Sequence, residues 1–227
     1  MIFVGEGALL WRAVRHTRDS GLPIDMVCGP APGAAEADRL GMPFIAVTDV
    51  NQAAGALATA SSDGVVWSVN NRMIFRGPVL STGLRIINIH HGPLPAYRGL
   101  PEVALVYAML RGEREFAATL HRVDEGIDTG RILTADPYPI GPDEPYHAVL
   151  RRGLNVCHRL FERCLPLVAA DPDWPGEPLG AVPGSCAYYG RAALNRLSEH
   201  RDHPGFARAT DLGFFTAYLP ELAATLA

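Results

Sequence analysis

The stretch LRIINIHHGPLPAYRG, residues 84–99, sets the fold class of this chain. Leu84 to Ile89 is nearly all apolar, the composition of a strand covered on both faces, which places it centrally in a sheet of mostly parallel strands. The pairs Gly92-Pro93 and Leu94-Pro95 then break regular structure and stiffen a loop. On the N-terminal side, short strands at Ile2–Val4, Asp25–Cys28, Phe44–Val47 and Gly64–Val69 are separated by helical patterns at Ala8–Arg18, Glu36–Leu40 and Asn51–Ala60. On the C-terminal side come a helix at Pro101–Leu110, extended stretches at Ala117–Val123 and Arg131–Ile140, and an amphipathic helix at Pro145–Ala170. In the first of these, Pro101 suits the first helical position and Gly112 the stop. Strands alternating with helices predict an α/β domain over residues 1–170, a mostly parallel sheet flanked by helices. From Asp171 the pattern gives way to Pro172, Pro175, Pro178 and Pro183, so residues 171–227 are expected as a loop and a short helical extension.

The chain has 227 residues, enough to bury a full core. A net charge of −4 offers no basic field, so nucleic acid is not an expected partner. All 20 basic residues are Arg. The lack of Lys excludes Schiff-base catalysis and the GK[ST] phosphate loop, leaving His, carboxylates, Cys or water to carry protons near pH 7. Cys28, Cys157, Cys164 and Cys186 have no metal-ligand spacing and read as free thiols, with Cys157 and Cys164 on one face of a helix facing the core. The opening MIFVGEGALLW is not patterned as a leader, and no apolar run approaches the ~20 residues that span a bilayer, so a cytoplasmic location without a membrane partner is expected. His200 and His203 lack further ligands nearby, so they are expected at the solvated surface and no metal is expected.

The chemistry-bearing residues collect at strand ends. Asn88 and His90 are two apart on an extended segment and point to the same side, at the sheet edge where open α/β folds bind ligands. The cluster DEGIDTG, Asp124 to Gly130, directly follows another strand, and Gly126 and Gly130 let its backbone approach a ligand closely. An Asn that donates to a developing oxyanion, a His that moves a proton and a carboxylate that orients the His suit acyl-type transfer.

The block Asn88-Ile-His90, Pro93-Leu-Pro95, Arg98-Gly99, Gly112-Glu113 and Asp124-Glu-Gly-Ile-Asp128-Thr-Gly130 closely resembles the catalytic domain of the 10-formyltetrahydrofolate-dependent formyltransferases. That family includes the glycinamide ribonucleotide, methionyl-tRNA and sugar-nucleotide formyltransferases and the formylation modules of peptide synthetases. The resemblance is specific from about Asp63 to Leu133 and looser to about Ala170. It implies a Rossmann-like fold and a catalytic set of Asn88, His90 and Asp128. In that scheme a neutral substrate amine attacks the formyl carbon, and Asn88 and His90 stabilise the oxygen of the tetrahedral intermediate. Asp128 positions His90 and helps pass the amine proton to the departing N10. The resemblance also implies a folate slot formed by residues 68–74 and 123–128, with Asn71, Arg72, Met73, Ile74, Val123, Asp124, Gly126 and Ile127 as its lining.

Three departures narrow the acceptor. Members commonly carry Ser-Leu-Leu-Pro after the His, whereas here His91, Gly92, Pro93, Leu94 and Pro95 follow His90. Gly92 and Pro93 therefore reshape the substrate side, and His91 is expected on the opposite side of the strand end, in solvent or behind the site. The first turn is Gly5-Glu6-Gly7, where the purine-pathway relative grips a phosphate with a Gly/Ser turn; a Glu6 carboxylate would repel phosphate and face an amine or hydroxyl. Residues 171–227 carry no basic patch of the kind that helps hold tRNA. Tyr188 and Tyr189, in a segment spanning Ser185 to Leu197, either border the acceptor or pack on the sheet, with packing favoured. The expected function is N-formylation of a small amine (an amino sugar, an amino acid or siderophore precursor, or a carrier-bound aminoacyl group) using 10-formyltetrahydrofolate. The alternatives are hydrolysis of that folate or a diverged member that binds a ligand or runs other chemistry on the same fold; the sequence does not fix the oligomer, a homodimer through the C-terminal segment being one form it allows.

Overall fold

The computed structural model describes residues 1–178 and 186–226; Pro183 and Ser185 lie outside the described residues. The strands are β1 (Ile2–Gly5), β2 (Met26–Gly29), β3 (Phe44–Ala46), β4 (Val65–Val69), β5 (Arg85–His90), β6 (Arg98–Gly99), β7 (Glu115–Arg122), β8 (Ile132–Pro139) and β9 (Tyr188–Tyr189). Seven of them form one sheet in the order β3-β2-β1-β4-β5-β7-β8, and β6 pairs with β9 in a separate two-stranded sheet. The pairings β3–β2, β2–β1, β1–β4 and β4–β5 are all parallel. The mostly parallel α/β sheet read from the sequence is therefore the observed one. Strand order reverses beside β1, which lies between β2 and β4, and such a switch point opens a crevice at the C-terminal strand ends.

The chain divides into two units. The first comprises Met1–Ile89, Leu120–Thr134 and His158–Pro178; the second comprises His90–Thr119, Ala135–Cys157 and the residues after Pro178. In the first unit, side chains alternate along each strand and bury both faces. Ile2, Val4, Cys28 and Val66 join Val50, Leu57 and Val79 in one apolar layer. Phe3 and Trp67 on the other face meet Phe161 of the helix Tyr146–Ala170 edge-on, at centroid distances of 5.9 and 4.9 Å. Burial pushes the Cys28 thiol up to about 11, as suits a packing residue.

The second unit contains the helix Pro101–Leu110, which ends at Gly112 with φ +71°, the left-handed stop expected from sequence. Of the two settings expected for His91, solvent or behind the strand end, the buried one is observed. His91 is 6% exposed, and its Nε2 meets the Tyr138 hydroxyl. Its ring stacks on Tyr138 at 5.9 Å and meets Phe116 edge-on at 5.6 Å. Alternation reports only which side a residue takes, not what fills it, so the sequence left solvent and burial both open. The pair occupies a gap left by Gly153, where a Cβ would stand 1.9 Å from His91 Nε2 and 2.4 Å from the Tyr138 oxygen. Burial, and to a lesser degree the neighbouring His90, lowers the His91 pKa to about 3.

That shift predicts an acid-dependent loss of stability. The unfolded chain takes up a proton at His91 below its ordinary pKa of 6.5 while the folded chain does not, down to about pH 3. Each pH unit in that window costs about 1.4 kcal/mol. Between pH 7 and 5, above the carboxylate range, urea unfolding should therefore show a loss of roughly 2 kcal/mol from His91 alone. His91→Gln, whose amide oxygen still accepts from Tyr138, should retain only the part carried by His158, which burial also lowers. An unchanged slope in that variant would remove His91 as its source.

Candidate active site

The C-terminal ends of β1 and β4 build the switch-point crevice in the first unit. Gly5 closes β1 at φ +154°, and a Cβ there would stand 1.9 Å from the Val69 carbonyl oxygen, so only glycine lets the two strand ends approach. Glu6 follows in extended conformation and precedes the helix Gly7–Asp19 without capping it. Its Oε1 lies 3.3 Å from Arg72 Nε, an exposed ion pair. Glu6 also lines a cavity of about 210 Å³ with Gly5, Gly7, Trp11, Pro32 and Phe44.

Arg72 sits in a turn held by Asn71, whose Oδ1 accepts from Met73 N and whose Nδ2 donates to Met73 O, both at 2.9 Å. The Met73 main chain is thus engaged locally, and the Met73 and Val123 side chains pack against the apolar layer. Ile74 and Ile127 behave differently: they are 46% and 38% exposed. Of the eight residues expected to line a folate slot, these two offer apolar surface, which suits a planar ring. Asp124 accepts from Gly126 N at 3.1 Å and from the Thr129 hydroxyl at 2.6 Å, so it shapes the loop from within.

That loop carries Asp128 in the left-handed region, φ +53°, a conformation an Asp tolerates better than most residues. Its Oδ1 lies 3.5 Å from His121 Nε2, with side-chain exposures of 11% and 2%. The same Nε2 lies 3.0 Å from Asn88 Nδ2. The other ring nitrogen, Nδ1, lies 2.8 Å from the Arg122 carbonyl, which can only accept. Nδ1 therefore carries the hydrogen, and in the neutral ring Nε2 accepts from the Asn88 amide. Two expected residues, Asn88 and Asp128, thus stand beside the same ring nitrogen of a third that the sequence reading missed: the Asn88 amide is bonded to it, and the Asp128 carboxylate is its neighbour at 3.5 Å. The signal of His121 is a lone imidazole near the end of the otherwise apolar core of β7, just before the DEGIDTG loop.

His90 belongs to the second unit. It is 4% exposed, and its Nε2 lies 2.7 Å from the Tyr97 carbonyl. A Cβ at Gly92 would stand 2.6 Å from His90 Nε2. Gly92 O accepts from the Thr119 hydroxyl at 2.7 Å, and Pro93 O accepts from Tyr97 N at 3.0 Å. Tyr189 is buried and stacked on Tyr97, whereas Tyr188 is 51% exposed. His200 is half-buried and meets Tyr107 edge-on at 5.3 Å, while His203 is exposed. Among the described residues, no group of three or more His, Cys, Asp or Glu is placed to hold a metal ion.

Residues 46–165 match the model of the family described as formyl transferase. The chain belongs to this family. One formyl transferase relative is the methionyl-tRNA formyltransferase of Clavibacter michiganensis subsp. michiganensis, 30% identical over 163 residues, covering 70% of this chain and 53% of the relative. That of Clavibacter sepedonicus is 34% identical over 135 residues, covering 58% of this chain and 43% of its own length. The chain thus spans about half the length of these curated relatives. Among solved formyl transferases, glycinamide ribonucleotide transformylase 1 of Symbiobacterium toebii superposes with a TM-score of 0.66 at 26% identity, covering 74% of this chain and 87% of that one. The N-formyltransferase of Helicobacter canadensis, solved with folinic acid and dTDP-3-aminofucose, shares the fold with a TM-score of 0.68 at 17% identity, covering 86% and 72%.

Proposed function

We propose that the chain is an N-formyltransferase that uses 10-formyltetrahydrofolate and a small-molecule amine, with Asn88, His90 and Asp128 as its catalytic residues. The observation that carries this reading is the gathering of the Asn88 amide and the Asp128 carboxylate on His121 in a formyl transferase chain. When bound, the folate would supply the formyl carbon as an electrophile, and the exposed side chains of Ile74 and Ile127 would line its ring. Asn88 keeps one amide hydrogen on His121 and presents the other to the oxygen that gains charge, a donor worth about 3 kcal/mol. His90 exchanges a proton with the reacting nitrogen, and Asp128 accepts that proton and holds it for the departing group. His121 fixes the Asn88 amide so that its nitrogen, not its oxygen, faces the chemistry.

The acceptor is small and is presented in the cytoplasm, free or on a carrier protein. The net charge of −4 and the Glu6 carboxylate beside the switch point support an acceptor without a polyanionic backbone or a phosphate in that turn. No helix among the described residues is long and apolar enough to cross a membrane. The test is tetrahydrofolate release from 10-formyltetrahydrofolate with a panel of amino sugars, amino acids and carrier-bound aminoacyl groups, with glycinamide ribonucleotide as the phosphate-bearing control. Release should depend on an amine, and Glu6→Ser should lower kcat/KM for the true acceptor. Formate release without any amine would assign the chain to folate hydrolysis instead. A Glu6→Ser enzyme with every acceptor unchanged would take Glu6 out of the acceptor site.

A further inference from the structure

We propose that the C-terminal segment carrying β9 positions His90: it clamps Tyr97 so that the Tyr97 carbonyl holds the Nε2 hydrogen of His90 and Nδ1 becomes the basic nitrogen of the ring. The proposal rests on the formyl-transfer reading for its catalytic meaning, but its geometry lies wholly within the second unit.

A backbone carbonyl can only accept a hydrogen bond. At 2.7 Å from His90 Nε2, the Tyr97 oxygen therefore selects the tautomer with hydrogen on Nε2, and the lone pair of the neutral ring moves to Nδ1. The carbonyl is held along the chain on both sides. Tyr97 N donates to Pro93 O at 3.0 Å, Arg98 N to Ala187 O at 3.0 Å and Leu100 N to Tyr189 O at 2.9 Å. The last two are bonds of the β6–β9 pair, so residues at the far end of the sequence hold the peptide that holds His90.

The Tyr97 ring is fixed as firmly. It stacks on Tyr189 with centroids 5.2 Å apart and planes 11° apart, and it meets Phe116 edge-on at 5.3 Å. Its hydroxyl donates to Glu113 at 2.8 Å, and the Arg111 guanidinium lies 5.9 Å from its centroid and 5.4 Å from that of Tyr189. Gly92 supplies an independent observation. A Cβ there would stand 2.6 Å from His90 Nε2 and 2.9 Å from the Tyr97 oxygen, in the space their hydrogen bond occupies. Glycine at 92 is thus a requirement of that bond.

The test uses the full chain labelled with ¹⁵N-histidine, with His90 assigned by comparison with His90→Gln. Long-range ¹H–¹⁵N correlation above pH 8 should show a pyrrole-type Nε2 and a pyridine-type Nδ1. Tyr189→Ala removes the stacked ring and should move both signals toward a tautomer average. It should also lower kcat by roughly ten- to a hundred-fold at an unchanged folate KM. Tyr189→Phe keeps the stack and should restore the wild-type nitrogen signals, which loss of general stability would not explain. Gly92→Ala acts at the bond itself and should give the same spectral change if Tyr189→Ala fails to fold. A wild-type ring with hydrogen on Nδ1, or a folded Tyr189→Ala with unchanged signals and kcat, would overturn the proposal. A wild-type protein that moves no formyl group but shows the expected nitrogen signals would overturn the functional reading and leave the positioning intact.

Discussion

Asp128→Asn and His90→Ala are each expected to lower kcat/KM for formyl transfer by roughly 10²–10⁴-fold, the range for losing a positioned proton carrier. Asn is the informative change at 128. It preserves the size of the side chain and tolerates the left-handed backbone found there, φ +53°, whereas alanine would add backbone strain to the chemical loss. Only the charge and the proton-accepting oxygen are altered. Because the Asp128 side chain is 11% exposed beside His121 at 3.5 Å, its charge acts with little solvent screening. The Asp128→Asn melt should stay close to wild type; His90→Ala removes a buried ring and orphans the Tyr97 carbonyl, so its melt should fall yet remain cooperative, and tetrahydrofolate release should collapse in both. Wild-type turnover in either would remove that residue from the catalytic set.

Gly5→Ala is expected to cost at least about 3–4 kcal/mol, at the severe end for a single added methyl. Two penalties coincide. The backbone at φ +154° lies where side-chain-bearing residues are rarely found. The added carbon would also stand 1.9 Å from the Val69 carbonyl oxygen and 2.9 Å from its carbon. Both atoms belong to a main chain fixed by the β1–β4 pairing, in which Gly5 is opposite Val69. A flexible side chain could swing aside; a strand in mid-sheet cannot. Chemical denaturation should show a midpoint shifted far down or no cooperative transition. A variant within about 1 kcal/mol of wild type would mean that the strand ends separate readily.

Much of this was legible in the sequence because local patterns carried it. Strands buried on both faces leave apolar runs, and the runs around Ile2, Val66 and Ile86 fall in strands within a residue or two of their expected ends. Pro101 and Gly112 mark a helix that spans the expected Pro101–Leu110. Asn88 and His90 stood out as polar residues two apart at a strand end, whereas among the carboxylates of the Asp124–Gly130 loop only the family resemblance singled out Asp128. What escaped depends on residues far apart in sequence. His121 has no local motif and acquires meaning only where β7 brings it to Asn88, 33 positions earlier. The burial of His91 depends on Tyr138 and on a missing side chain at Gly153. The pairing of Glu6 with Arg72 cannot be read from either turn alone.

The pairing of β6 with β9 has a consequence for the order of events during synthesis. His90 leaves the ribosome about a hundred residues ahead of Tyr189. Until that later segment emerges and docks, Arg98 and Leu100 lack the partners that lock the neighbouring Tyr97 carbonyl. A nascent chain carrying every polar residue at its strand ends would still have a histidine in an unselected tautomer. Full order at that histidine would then arrive only when the later segment has docked, well after the strand that carries it has left the ribosome.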